Sequence, residues 1–189
     1  GTILDENSSL PSANLTGTIA GARLPDPLPA IDGGSLTGIS GGKVLQMVYS
    51  LVATEFTTSS TFGADDTIPQ SSEGIEITTL EITPTSATSN LHITMQATGT
   101  RSTSSIVPFA LFKDSGADAL TVGGFRSETE GVTATSLSTW IEASGSTSAR
   151  TYKLRGGAES GGGGSSYFNR TSAGSRYGGV CRSGLIILE

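Results

Sequence analysis

Residues 91–98 alternate without a break: Leu91, Ile93, Met95 and Ala97 fall on one side, His92, Thr94, Gln96 and Thr98 on the other. Successive side chains point to opposite faces in an extended strand, so this segment reads as a strand with one buried face. A helix would scatter the same apolar residues around its circumference. The rest of the chain offers helices little support. Blocks of Ala, Leu, Glu and Lys are absent, while 28 Ser, 26 Thr and 26 Gly fill much of the 189 residues. Thr suits a pleated, half-buried surface, and Ser and Gly suit turns. The expected fold class is all-β, with many short strands and small loops.

Other strands follow from the same reading. The first is expected at 43–52, with Leu45, Met47, Tyr49 and Leu51 sharing one face. Residues 53–74 read as a long polar connection containing Phe56, Phe62 and the pair Asp65-Asp66. A strand at 75–82 slips its apolar phase near Thr78-Thr79, which marks a bulge or bend. Strands at 106–112 and 119–125 flank the turn Lys113-Asp114-Ser115-Gly116 and read as a hairpin. Further strands are expected at 137–143, with Trp140, at 150–155, and at 167–170. The closing Leu185-Ile186-Ile187-Leu188 is apolar throughout, which predicts burial on both faces. Eight or nine strands at this spacing are the pattern of an antiparallel sandwich or barrel, and the expected fold over residues 43–189 is a jelly-roll-like β-sandwich.

Residues 1–42 are built differently. They hold Pro11, Pro25, Pro27 and Pro29, four of the seven prolines, with glycines between them. Such a stretch has too few apolar residues for a core of its own. It does repeat. Asn14-Leu15-Thr16-Gly17-Thr18-Ile19 returns as Ser35-Leu36-Thr37-Gly38-Ile39, and Leu10-Pro11-Ser12-Ala13 returns as Leu28-Pro29-Ala30-Ile31. One chain alone would leave the lone aliphatics wet. Three parallel copies could turn Leu15, Ile19, Leu36 and Ile39 onto a shared axis, with glycines permitting close approach. The expectation is an extended, trimeric shaft at 1–42. Residues 1–42 have no Gly-X-Y period and so are not collagen, which weighs against a collagen-stalked head.

Little in the sequence suggests catalysis. A nucleophilic triad needs a base, and the single histidine, His92, lies on the outward side of its strand. One His and one Cys, Cys181, make a zinc site improbable; Cys181 reads as a small buried residue. Asp65, Asp66, Glu73, Glu76, Glu128 and Glu130 were weighed as paired carboxylates for glycan hydrolysis, but no motif places two of them across a cleft. Asp65-Asp66 also lacks the oxygen-rich spacing of a calcium loop. Gly161–Gly164 lacks the Lys-Ser/Thr of a phosphate loop. Asn14-Leu15-Thr16 and Asn169-Arg170-Thr171 fit the glycosylation pattern by short match only. No catalytic residue, metal or cofactor is therefore expected. The net charge of −6 argues against nucleic-acid binding, and no apolar run reaches the length of a membrane helix. Charge is uneven: residues 140–189 hold Arg150, Lys153, Arg155, Arg170, Arg176 and Arg182 against three acids. Ion pairing is the plain reading, and a basic patch for an anionic glycan the sharper one. Polar loops at 100–105, 127–135 and 156–166 are candidate contact regions.

Four segments resemble the C-terminal domain of fibre-like proteins of tailed phages. They are Gly42-Lys43-Val44-Leu45-Gln46-Met47-Val48, Leu80-Glu81-Ile82-Thr83-Pro84-Thr85-Ser86-Ala87-Thr88-Ser89-Asn90-Leu91-His92-Ile93, Thr151-Tyr152-Lys153-Leu154 with Tyr167-Phe168-Asn169-Arg170, and Leu185-Ile186-Ile187-Leu188-Glu189. The Leu-Thr-Gly shaft repeats are similar too, so the resemblance covers most of 14–189. Asn90-Leu91 departs from the pattern, where a lysine is common. The resemblance implies a homotrimeric structural appendage on the virion surface: a tail fibre, head fibre or decoration. Its N-terminal side would meet other virion proteins, and its head would meet a host surface glycan or protein. A purely architectural decoration is the alternative.

Changing Leu15 and Leu36 to Ser should weaken the shaft and spare the head. Each aliphatic lost from a packed core costs on the order of 2–4 kcal/mol per chain. An unchanged melting temperature and oligomer mass would speak against a shared axis.

Overall fold

The computed structural model describes residues 43–128, 133–175 and 177–189. The expected shaft, with Leu15, Ile19, Leu36 and Ile39, lies outside the described residues. Those described form β1 (Met47–Val52), β2 (Phe56–Thr58), β3 (Thr61–Phe62), β4 (Ile75–Ile82), β5 (Asn90–Arg101), β6 (Ser105–Lys113), β7 (Thr121–Ser127), β8 (Ala134–Ala143), β9 (Arg150–Gly156), β10 (Ala158–Glu159), β11 (Ser166–Phe168) and β12 (Ser183–Leu188).

The long strands pair in a nested order. β1 lies antiparallel to β12, β4 to β9, β5 to β8 and β6 to β7. First meets last, second meets seventh, third meets sixth and fourth meets fifth. This is one long hairpin rolled across two layers, the topology of a jelly roll. One layer runs β1-β12-β5-β8, with β11 and β2 continuing it along the far half of β5; the other runs β4-β9-β6-β7. The all-β, antiparallel, jelly-roll-like sandwich expected from the sequence is the observed fold.

The core lies between the layers. Leu91, Ile93, Met95 and Ala97 on β5 are fully buried, as the alternation required. They face Val107, Phe109 and Leu111 of β6, Tyr152 and Leu154 of β9, and Ile77 and Ile82 of β4. Each fully buried aliphatic or aromatic here contributes about 1.5–3 kcal/mol of transfer free energy. The phase slip in β4 is a true irregularity, with its register against β9 shifting between Glu76 and Thr78. At Gly99, a Cβ would stand 2.2 Å from the Tyr167 carbonyl oxygen, so only glycine lets β11 pair there.

Three expectations need correction. The Leu45, Met47, Tyr49, Leu51 row of the first strand faces outward, and Val48 and Val52 pack toward the core instead. The last strand buries Leu185 and Ile187, while Ile186 and Leu188 on its other side stay partly exposed. The connection at 53–74 is more than a polar loop. Phe62 packs on Ala110 and Phe112, on the outward side of β6, and forms a second small core there.

At one end, Glu189 ties the fold together. Its carboxylate accepts hydrogen bonds from the backbone N–H of Thr85 (2.8 Å) and Ser86 (2.9 Å), from Ser89 Oγ (2.6 Å) and from Gln46 Nε2 (2.5 Å). Main-chain bonds from Leu45 N to Glu189 O and from Glu189 N to Gln46 O close the same junction. The turn before β5, the entry to β1 and the exit of β12 thus share one anion. Burial opposes its ionisation, but the donors from Ser89, Gln46, Thr85 and Ser86 outweigh that and hold the carboxyl at about 2, below the ordinary 4.5.

A depressed folded pKa stabilises above the unfolded value and loses that contribution as pH falls. The contribution of Glu189 should therefore be complete above about pH 5 and fade between pH 4.5 and 2. Glu189→Gln should lower the melting temperature at pH 7 and shrink the difference from wild type near pH 2. A variant gap equal at both pH values would contradict the latch.

Candidate functional site

Strand β5 sets the polarity of the head. It starts beside the Glu189 junction, where residues 43–46 enter, and ends at Arg101, ~40 Å away at the usual rise per residue. The β5–β6 turn, the end of β7 and the β10–β11 connection all lie at that far end. The three polar segments singled out in the sequence are thus brought together, apart from residues 129–132, which lie outside the described residues.

Arg101 holds them. Its side chain is 1% exposed. Nη1 donates to Ile106 O (2.9 Å), and Nη2 donates to Glu159 O (3.2 Å) and to Gly163 O. A guanidinium offers a planar fork of donors, so one side chain can satisfy carbonyls of two loops at once. The loops also bond each other. Ser102 N donates to Ser165 O, Ser165 N donates to Ser102 Oγ, and Thr103 Oγ1 reaches Gly162 O and Gly163 O. Ser105 Oγ donates to Glu159 Oε2 (3.1 Å). Ser127, at the end of β7, meets Thr100 Oγ1 and Arg101 N through its hydroxyl. The Gly161–Gly164 run is thereby an ordered loop tip, not a linker.

The rim of this end is polar and exposed. Arg126 pairs with Glu128 at 2.7 Å, and Ser104 Oγ bridges toward both. Beside the rim, on the outer side of β6 and β7, a shallow apolar groove of about 390 Å³ is lined by Ile106, Pro108, Val122, Gly124 and Arg126. Ile106 and Val122 leave 38% and 45% of their surface open to solvent, so the groove is accessible to a ligand.

Asp65 and Glu73 both lie against Gly63, and the carboxylates considered for hydrolysis are mostly engaged by nearby donors. Asp65 accepts from Thr67 N and Thr67 Oγ1 within its own turn. Glu73 accepts from Gly63 N and Gln70 N, Glu76 accepts from Thr79 Oγ1, and Glu128 pairs with Arg126. Glu130 lies outside the described residues. Among the described residues, no three His, Cys, Asp or Glu side chains gather as a metal site. Cys181 is half-buried, not buried as expected. Asn169 is fully buried with φ 61°; its Nδ2 donates to Val52 O and Thr54 O, so the folded protein hides this glycosylation match.

The basic residues of the C-terminal part do not form a patch in the described residues. Arg150 is buried and donates to Ser144 O, and it lies 3.6 Å from Glu142. Arg155 donates to Glu73 O and Gly74 O, and Arg170 faces Glu55. Glu142, which no sequence pattern marks, collects Lys113 Nζ (2.6 Å), Tyr152 Oη (2.6 Å) and Trp140 Nε1 (3.3 Å). Burial raises this carboxyl, but the bonds from Lys113, Tyr152 and Trp140 prevail and leave it lowered; burial and the Glu142 bond raise Tyr152. This group is a tie between β6, β8 and β9, with its donors already used.

The two outer faces of the sandwich differ. On the β1-β12-β5-β8 layer the register sets three rows: Met47, Leu188, His92, Ile141; then Tyr49, Ile186, Thr94, Thr139; then Leu51, Gly184, Gln96, Leu137. None of these twelve positions is Asp, Glu, Lys or Arg. On the other layer the outward positions include Glu76, Glu81, Lys153, Arg155 and Arg126.

No protein-family description matches the chain, and no curated protein matches it by sequence. Among solved structures it is similar to Eiger TNF from S. frugiperda, with 9% identity and a TM-score of 0.42 over 76% of this chain and 92% of that one. It is also similar to the EclA C-terminal domain, a sugar-binding protein, with 9% identity and a TM-score of 0.34 over 75% and 88%. A third likeness is to the VP2 subviral particle of infectious bursal disease virus, with 13% identity and a TM-score of 0.36, covering 85% of this chain and 37% of that one.

Arg101→Ala should leave the partly buried carbonyls of Ile106, Glu159 and Gly163 without their donor. Hydrogen bonds to a charged group are worth about 1.5–3 kcal/mol each, and some of that returns as water enters, so a loss of roughly 2–4 kcal/mol is expected. Amide exchange should quicken at 159–165 before anywhere else in the head. Arg101→Lys should not restore protection, because an ammonium lacks the planar fork. Unchanged exchange in that loop would remove Arg101 from its proposed role.

Proposed function

We propose that the protein is a non-enzymatic structural appendage of a virion, acting as a homotrimer whose heads attach the particle to a host surface glycan or protein. The observation that carries this reading is the placement of the polar loops. They gather at the end of the sandwich opposite the entry of residues 43–46. A chain held from its N-terminal side presents that end outward. The phage-fibre resemblance of the strand segments supplies the virion context, and the shaft repeats supply the reason for three copies.

The chemistry of the far end suits contact more than turnover. Ser104, Arg126 and Glu128 put hydroxyl, cationic and anionic groups on one rim, beside an apolar groove. Sugars and polar peptides are recognised by such mixed hydrogen bonding with an apolar platform. Arg101 holds the loops before any ligand arrives, which reduces the ordering cost of binding. One such site is shallow and therefore weak. Three heads per fibre and several fibres per particle convert weak sites into firm attachment through effective concentration.

The second reading, a decoration without receptor, keeps the same fold and trimer and differs only in the use of the rim. Replacing Ser104 by Trp together with Arg126 by Glu alters the rim at exposed positions. On the attachment reading, binding of the full-length protein to host cells falls by about ten-fold or more, a loss of roughly 1.4 kcal/mol or more summed over its heads. Melting temperature and mass stay as in the wild type. If the wild type binds neither cells nor arrayed glycans, and particles lacking it lose stability, the decoration reading replaces attachment.

A further inference from the structure

We infer that the uncharged outer face of the β1-β12-β5-β8 layer is the surface through which copies of this head meet one another around a common axis. The inference rests on the homotrimer reading above and names the surface that such a trimer uses.

Of the seven exposed positions on the face, five are apolar and two, His92 and Thr139, are polar. Met47, Tyr49, Leu51, Leu137 and Ile141 expose 58%, 64%, 39%, 61% and 61% of their surface, on the two edge strands β1 and β8. Ile186 and Leu188 fill the middle with part of their side chains. Two apolar strips, one on β1 and β12 and one on β8, flank the polar row His92, Thr94 and Gln96 of β5, and exposed apolar side chains grouped in this way mark a contact surface. Its occupant is another copy for two reasons. First, the face offers a foreign partner no charge to read, although its counterpart on the other layer carries Glu76, Glu81, Lys153, Arg155 and Arg126. Around a threefold axis identical positions approach one another close to the axis, where a fixed charge would face its own kind, so an uncharged register suits such a contact.

Second, chain continuity brings this face to the axis. The main chain is already bonded to the sheet at Leu45, through Glu189. From residue 42 to the start of β1 at Met47 is five residue steps, at most about 18 Å when extended. If three copies share an axis through residue 42, each β1 must begin within that distance of it. β1 is the edge strand that carries Met47, Tyr49 and Leu51 outward. Turning those residues away from the axis would leave the face wet and bring the charged layer inward.

The test uses the full-length wild-type chain. Hydroxyl-radical footprinting compares Tyr49 and Met47 with Tyr177, which is 74% exposed and lies outside the three rows. Tyr49 is nearly as exposed within one head, so a lone head would label both tyrosines alike. The expected result is several-fold slower labelling of Tyr49 and Met47. Ile141→Glu should raise both to the level of Tyr177, even where the shafts keep the copies tethered, while Thr79→Glu on the opposite layer should change neither. Light scattering separates the two ideas. A mass near three times 19.2 kDa with Tyr49 fully labelled overturns this surface and leaves the homotrimer standing. A mass of one chain overturns both.

Discussion

The closing of the roll governs the molecule. β12 lies between β1 and β5, so the sheet begun by the first long strand is completed only by the last. Leu185 and Ile187 enter the core from that central position, and both edges of β12 are hydrogen-bonded. A nested order of pairing makes most contacts long in sequence. Folding of such a topology must meet loop-closure entropy before its contacts are rewarded, which makes it slow relative to local folds. The Glu189 carboxylate acts at this point. It draws the turn at 85–89 and the entry of β1 onto the end of β12, with partners about a hundred residues away in the chain.

The same frame sorts residues into distinct environments. Rows pointing between the layers are aliphatic and aromatic and fully buried. Rows pointing outward diverge: one layer is charged and carries the Phe62 cluster, and the other is uncharged. The two ends diverge as well. Near the chain entry, carboxylates are fixed by several donors each, at Glu189 and at Glu142. At the far end a buried cation, Arg101, takes carbonyl oxygens from loops rich in Gly and Ser. Glycine-rich loops have little side-chain packing of their own, so order there has to come from main-chain bonding, and a guanidinium supplies several such bonds from one buried point.

The parts of this fold that were legible in the sequence are those written locally. The alternation of β5 fixed both its strand and its buried face, the slip in β4 showed as a register shift, and the 105–127 hairpin followed from its turn. β1 was legible as a strand but ambiguous in facing, because Val48 and Val52 on one side are as apolar as Met47 and Leu51 on the other. Alternation cannot choose between two apolar rows; only packing against the second layer does. Phe62 gave no local sign that it would cover the outward side of β6. Arg101 and Glu142 looked like ordinary surface charges, since their roles rest on partners far along the chain. The far-end loops were legible as loops, but their convergence was not, because it depends on which strands share an end, and strand order has no local signature.

Orientation links the proposed trimer to the proposed attachment. Three heads gain from multivalency only if their contact ends face the same way. β5 runs from the chain entry to Arg101 within the layer that is proposed to line the axis. Copies meeting through that layer, and entered from one side, carry their β5 strands in a common direction along the axis. Their loop ends then lie together at the far end, each held by its own Arg101. Contact through the charged layer would turn the uncharged face to water, and a loose contact through the shaft alone would let the three rims point independently. In the proposed trimer the apolar rows on β1 and β8 would therefore serve the proposed attachment without touching a receptor, by fixing the direction in which three weak sites are shown.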